Sequence, residues 1–193
     1  MMNRYTNRVE LIGCTASGKT TLCKTMQKLG WNAIYEPYMQ NPFLTSFFQG
    51  YDCAFEVQMC FLLQHYNKIK SCANLDSQSI CDFSLSLDDI YATILLNEKE
   101  KSIYNELLAH IRYVIGYPRY IIKIECPDAT ILNRISIRGR AYEKSVDVNF
   151  IQELNDRINC FAIPNNFIVV DSSLINFSNE NEVYNEIIKK MDR

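Results

Sequence analysis

Residues 9–20, Val9-Glu10-Leu11-Ile12-Gly13-Cys14-Thr15-Ala16-Ser17-Gly18-Lys19-Thr20, run from a short apolar strand through a glycine loop into a helix. The loop satisfies GxxxxGK[ST] in the strand-loop-helix context that this pattern requires. Gly13 and Gly18 let the backbone curl so that successive N–H groups and the helix N-terminus face one anion. The Lys19 ammonium then reaches the β- and γ-phosphates, and the Thr20 hydroxyl is placed to bind Mg²⁺. An ordinary glycine turn is a poor alternative in that setting. The loop residues Gly13, Cys14, Thr15, Ala16, Ser17, Gly18, Lys19 and Thr20, with Thr21 behind them, imply a nucleoside triphosphate site.

Working outward, the helix over residues 19–29 can end at Gly30 in the left-handed conformation. Short apolar runs at 33–35, 78–81, 120–124 and 167–170 read as further strands. Between them, helical periodicity covers 53–71, where Phe55, Met59, Leu62, Leu63, Tyr66 and Ile69 share a face, then 87–115, 128–137, 148–161 and 182–191. Gly116-Tyr117-Pro118 stops the helical pattern before the fourth strand. Short apolar strands separated by helices are what a parallel sheet covered on both faces demands. The expected fold is α/β: a P-loop NTPase-type three-layer architecture with a five-stranded parallel sheet, as one domain over residues 1–193.

The composition limits the partners. Lys plus Arg total 20 against 22 Asp plus Glu, a formal charge of −2, so there is no basic surplus for nucleic-acid binding. No segment approaches the run of about 18 apolar residues a membrane span needs, and residues 1–8 lack a signal-peptide core, so a cytoplasmic protein is expected. The eight cysteines are scattered singly with no CxxC pair, and the two histidines, His65 and His110, lie far apart, which disfavours a zinc site. Most of the cysteines read as small apolar core residues in a reducing compartment.

In a parallel sheet, chemistry concentrates at the carboxyl ends of the strands. Glu36 ends the second strand just before Pro37, where a carboxylate can accept the proton of an attacking hydroxyl; alone, it is equally a solvated turn. Asp82 ends the third strand, the usual place of an acid that holds Mg²⁺, or of a helix cap. Arg134 and Arg138 share a helix face, and Gly139 breaks that helix so that Arg140 sits on a turn able to close over phosphates. A GTPase is disfavoured because no NKxD motif follows, Asn155-Asp156-Arg157 being a poor substitute. A nucleoside monophosphate kinase such as thymidylate kinase lacks its usual Asp-Arg-Tyr or Asp-Arg-His signal here.

Taken together, these residues resemble the deoxynucleoside kinase family, salvage enzymes that phosphorylate the 5′-hydroxyl of deoxyribonucleosides. The resemblance runs through Gly13 to Thr20, Tyr35-Glu36-Pro37, Asn41-Pro42-Phe43-Leu44, Phe55-Glu56-Val57-Gln58, Phe61-Leu62-Leu63, Ser79-Ile80-Cys81-Asp82 and Arg134 to Glu143. That last segment resembles the family's lid, more like its bacterial deoxyadenosine and deoxyguanosine kinase branch. The resemblance implies ATP and Mg²⁺ as cofactors, a purine deoxynucleoside as the favoured acceptor and a homodimer through the long helices. It implies catalytic roles for Lys19, Glu36, Arg138 and Arg140, with Glu36 as general base, and metal binding by Thr20 and Asp82. Arg134, Arg138 and Arg140 become lid residues over 134–146, Gln58 reads the base edge, and Glu143 recognises the sugar 3′-hydroxyl.

Asp88 matches an acid that helps select the base, with Asp89 an equal candidate. Three positions depart from the family pattern. Phe83 replaces an Arg after Asp82, and His65 replaces an Arg seven residues beyond Gln58, as a weaker substitute or a surface histidine. Phe47-Phe48 stand where a sugar-binding Tyr is expected, leaving Tyr51 as a candidate hydroxyl, although a wall aromatic is its plainer role. The acceptor is then expected among Glu36, Phe48, Tyr51, Gln58, Phe83, Asp88 and Glu143. The departures motivate a rival reading as a catalytically idle nucleotide-binding subunit, against which the intact Gly18-Lys19-Thr20, Glu36 and Arg140 argue.

Overall fold

The computed structural model describes residues 5–72, 78–139, 147–161 and 166–191. Five strands, β1 (Tyr5–Gly13), β2 (Asn32–Ile34), β3 (Ser79–Cys81), β4 (Tyr117–Glu125) and β5 (Phe167–Asp171), form one sheet in the order β2-β3-β1-β4-β5. Every pairing is parallel. The expected five-stranded α/β architecture is therefore the one observed.

Alternation along β1 divides the core. Val9 and Leu11 pack with Leu22, Met26 and Ile122 beneath α1 (Lys19–Lys28) and a C-terminal helical run. That run comprises α8 (Glu180–Val183), a π-helical turn Tyr184–Ile188 and α9 (Lys189–Met191). On the opposite face Ile12 packs with Leu87, Ile131, Leu154 and Ile158 from α4 (Leu85–Leu95), α6 (Asp128–Arg138) and α7 (Val148–Cys160). A third cluster, with Leu62, Phe83, Tyr104 and Ile111, joins α3 (Ala54–Cys72) and α5 (Glu98–Ile115) to the β3 side.

Arg8 and Glu10, two residues apart and so on one face of β1, form a buried ion pair of 2.8 Å. Such a pair survives only when its remaining polar atoms are also satisfied. Glu10 Oε2 accepts from the Ser84 hydroxyl (2.9 Å) and the Leu85 N–H (3.2 Å), while Arg8 donates to the carbonyls of Ile115 and Gly116. The central strand thereby holds the start of α4 and the end of α5.

Some expectations need correction. β4 begins at Tyr117, so Pro118 lies inside the strand, beside the register shift between Thr6 and Val9 of β1. The bulge accommodates a residue without an N–H donor. A 3₁₀ turn, Tyr38–Gln40, and a short helix, α2 (Leu44–Phe48), escaped the periodicity because neither is long enough to show one. All eight cysteines are free; Cys14, Cys23, Cys81 and Cys126 are buried, three are half-buried and Cys160 is exposed, so only half belong fully to the core. Among the described residues no helix is long and apolar enough to cross a membrane.

Candidate active site

The connection after β1 leads toward β2, whereas that after β3 leads across to β4. Ligands in open α/β sheets bind outside the carboxyl ends at such a reversal. The Gly13–Thr20 loop and Asp82 meet there: the Thr20 hydroxyl donates to Asp82 Oδ2 (3.0 Å), and the Glu36 N–H donates to Asp82 Oδ1 (2.6 Å). Burial raises the Asp82 carboxyl above its ordinary value, opposed by the Glu36 N–H and other donors.

The loop has little room for side chains. A Cβ on Gly13 would lie 2.5 Å from Ser17 Oγ and 3.1 Å from the Ile124 carbonyl oxygen, and Gly18 adopts φ +113° with the Phe177 ring 2.9 Å from where a Cβ would be. Ala16 also takes positive φ, 57°, a strain of the kind functional loops retain. Lys19 Nζ donates to the carbonyls of Gly13 (2.8 Å) and Cys14 (3.0 Å); burial lowers its pKa, opposed chiefly by the Glu36 carboxylate. Burial pushes the Cys14 thiol up to about 11. Arg134 donates to the carbonyls of Ala16 (3.3 Å), Ser17 (3.1 Å) and Ser172 (3.2 Å), so its guanidinium braces the loop against the segment after β5. Arg138 donates to the Thr15 hydroxyl (3.0 Å). Gly139 ends α6 in the left-handed conformation, as its place before Arg140 led one to expect. A polar cavity of about 410 Å³ lies here, lined by Thr15, Gly18, Lys19, Thr20, Thr21, Glu36, Asp82, Arg134 and Arg138.

Beside it lies a mainly apolar cavity of about 450 Å³ with Leu44, Phe47, Phe48, Val57, Gln58, Phe61, Leu87, Asp88, Tyr91 and Phe150 in its walls. Glu36, Thr15 and Tyr38 line both cavities, so Glu36 stands on the shared wall. Gln58 is buried and lines the second cavity. Phe48 lines the cavity from α2 as expected. Tyr51 does not: it lies beyond Gly50 and is 66% exposed. Phe83 is also absent from the lining, because its ring is buried and stacks on His65 at 3.9 Å and 9°.

His65 is no surface histidine; it is fully buried. Its Nδ1 lies 2.7 Å from Asp88 Oδ2 and its Nε2 3.5 Å from Glu36 Oε1. Burial opposes its charge, but the Asp88 and Glu36 carboxylates outweigh that and push it up to about 10. Burial in turn raises the Asp88 carboxyl, with His65 opposing. Asp89 is turned elsewhere, paired with Lys101 at 2.5 Å and Arg112 at 4.0 Å, which leaves Asp88 as the pocket acid. Arg140 and Glu143 lie outside the described residues, as does most of the lid region. The sequence reading missed Tyr38, Tyr91 and the His65–Asp88 pair. One available signal was the seven-residue step from Gln58 to His65, two helical turns that put both on one face of α3.

A family model for deoxynucleoside kinase matches residues 10–193. The chain belongs to the deoxynucleoside kinase family. This deoxynucleoside kinase is similar to deoxyguanosine kinase of Bacillus subtilis, at 26% identity over 152 residues spanning 76% of this chain and 73% of that protein. It is also similar to deoxyadenosine/deoxycytidine kinase of the same organism, at 26% over 159 residues, 77% of this chain and 73% of that one. The solved structure of deoxyadenosine kinase from M. mycoides with bound dCTP shares the fold with a TM-score of 0.79 at 21% identity, covering 96% of this chain and 98% of that one. The form of that kinase with bound dATP gives 0.78 at 22%, covering 94% and 98%.

Proposed function

We propose that this kinase transfers the γ-phosphoryl group of ATP to the 5′-hydroxyl of a deoxyribonucleoside, with a purine acceptor favoured. The observation that carries the reading is the position of Glu36 on the wall common to a polar, cation-lined cavity and an apolar cavity. A cavity of about 450 Å³ falls within the range typical of small-molecule sites. The purine preference is supported by similarity to the Bacillus deoxyguanosine kinase, while the second Bacillus relative is named for both deoxyadenosine and deoxycytidine. In this reading the acceptor lies between Glu36, Phe48, Gln58 and Asp88, with Gln58 offering its amide donor and acceptor to the base edge.

The triphosphate occupies the loop, and its nucleoside end extends past Gly18 into a third cavity of about 500 Å³ lined by Arg134, Leu174, Ile175 and Phe177. The 5′-oxygen attacks the γ-phosphorus, the bond to the ADP oxygen breaks, and the hydroxyl proton passes to Glu36. Thr20 and Asp82, whose hard oxygens already lie 3.0 Å apart, suit Mg²⁺ and would hold it. When bound, Mg²⁺ neutralises phosphate charge. Lys19 and Arg138 stabilise the charge developing on the transferring group. Arg140 and Glu143 keep the lid and sugar roles that the resemblance implies. A single-domain, cytoplasmic homodimer through α3 completes the proposal; Leu63, 48% exposed on that helix, is compatible with an interface. A monomer at micromolar concentration in sedimentation would contradict the dimer.

Glu36→Gln tests the base assignment. It is expected to lower kcat by roughly a hundredfold or more while leaving the ATP Kd nearly unchanged. Near-normal turnover would show that the proton goes elsewhere.

A further inference from the structure

We infer that His65 is a positioning residue for the general base: held from behind by Asp88, it presents Nε2 to the Glu36 carboxylate and sets how that carboxylate faces the acceptor. The inference rests on the reading of Glu36 as the base.

The ring has little freedom. Phe83 is stacked on one face at 3.9 Å, Phe61 lies tilted at 5.8 Å, Asp88 Oδ2 takes Nδ1 at 2.7 Å, and none of the residue is exposed. A histidine that served packing alone would be satisfied by Asp88 and would place its second nitrogen against a structural acceptor or an apolar neighbour. Here Nε2 has no hydrogen bond among the described residues. Its carboxylate neighbour is Glu36 Oε1 at 3.5 Å, too long for a hydrogen bond and short enough for an ion pair. Catalytic hydrogen bonds are often long without ligand and tighten in the substrate complex. Glu36 is 36% exposed on the shared wall.

The chemistry agrees with the geometry. A ring between two carboxylates is best satisfied as imidazolium, with both nitrogens donating. Burial works against that charge, and Asp88 with Glu36 more than offset it. Among the described residues, the charged or titratable groups that share this space with Glu36 include Lys19 on α1, Tyr38, Asp82 after β3, Asp88 and Tyr91 on α4, and Arg138 of α6. His65 approaches Glu36 from α3, on the side away from the phosphate loop. Its support reaches the central strand, because Glu10 binds Ser84 and Leu85 at the start of the helix that carries Asp88. Phe83 and His65 thus act as a unit: the aromatic residue after Asp82 is the shelf on which the histidine lies.

The test uses His65→Asn and His65→Gln in the full chain, with the deoxynucleoside that the wild type phosphorylates best. Asn keeps an amide near the Nδ1 position, for Asp88, and loses the reach to Glu36; Gln, one carbon longer, restores a donor near the Nε2 position. His65→Asn is expected to lower kcat about 10- to 100-fold, with both KM values within about threefold of wild type, since the lost contact acts on the base rather than on binding. His65→Gln should recover turnover to within about fivefold of wild type. On a Glu36→Gln background, His65→Asn should cost almost nothing further, because a residue acting through Glu36 has nothing left to position. Equal losses in the Asn and Gln variants accompanied by falling melting temperatures, losses that multiply in the double variant, or an unimpaired His65→Asn enzyme would each overturn the inference. If Glu36→Gln itself turns over normally, the base reading fails and this inference with it; a crippled Glu36→Gln beside a normal His65→Asn removes this inference alone.

Discussion

Around the Gly13–Thr20 loop, position is set largely by backbone: Lys19, Arg134 and two glycines work against main-chain atoms or in conformations that only a contiguous segment can impose. Across Glu36, the apolar cavity is walled by side chains from α2, α3, α4, α6 and α7, and no short segment contains its pattern. Backbone sites tolerate almost no change in chemistry and are readable as a motif. Side-chain sites can be built from different residues, and here Phe83 and His65 stack on one another where the resemblance led one to expect arginines.

That contrast gives an ordered set of expectations. On the loop side, Lys19→Met should lower kcat by about 10²–10³-fold while deoxynucleoside binding, followed by calorimetry, persists. Loss of acceptor binding as well would mean the two cavities are not separable. On the acceptor side, Glu10→Ala strands the buried Arg8 charge and should cost about 3–5 kcal/mol in urea unfolding. A cost under 1 kcal/mol would show that the start of α4 does not depend on β1.

A smaller effect concerns pH. The folded protein raises His65 from an ordinary 6.5 to about 10, so the native state holds a proton that the unfolded chain releases. The resulting stabilisation is fully present below about 6.5 and is lost as pH rises through about 10. Burial raises Asp88 as well, a shift that works against stability as pH rises above the ordinary 3.8, and His65 opposes it. Melting temperature should therefore fall more steeply between pH 7 and 10 in the wild type than in His65→Asn; parallel curves would contradict the charged assignment. Smallest of all, Asn97→Ala removes the capping box of α5 at a residue that lines neither cavity, and should cost about 1 kcal/mol with turnover unchanged.

Most of the fold was legible because its signals are local. The apolar runs marked the strands, the 3.6-residue period marked α3, α5 and α7, and Gly139 marked the end of α6. Pro118 misled because its place in β4 depends on a bulge in a neighbouring strand. In the site, the loop, Glu36, Asp82 and Gln58 were named from motif and resemblance, and the structure places them around two adjoining cavities that share Glu36. Tyr51 and Phe83 were misplaced because exposure and stacking depend on where α2 and α3 end up. His65 was ambiguous for the same reason: its meaning lies in Asp88 and Glu36, which are 23 residues away in one direction and at the end of another strand in the other.

The most direct measurement is transfer of labelled γ-phosphate from ATP, with Mg²⁺, to a panel of the four deoxynucleosides, the matching ribonucleosides and the deoxynucleoside monophosphates. Transfer to one or two deoxynucleosides, a purine first, is the expected result. Transfer only to monophosphates, or to no acceptor while ATP still binds, would contradict the assignment of the apolar cavity as a deoxynucleoside site.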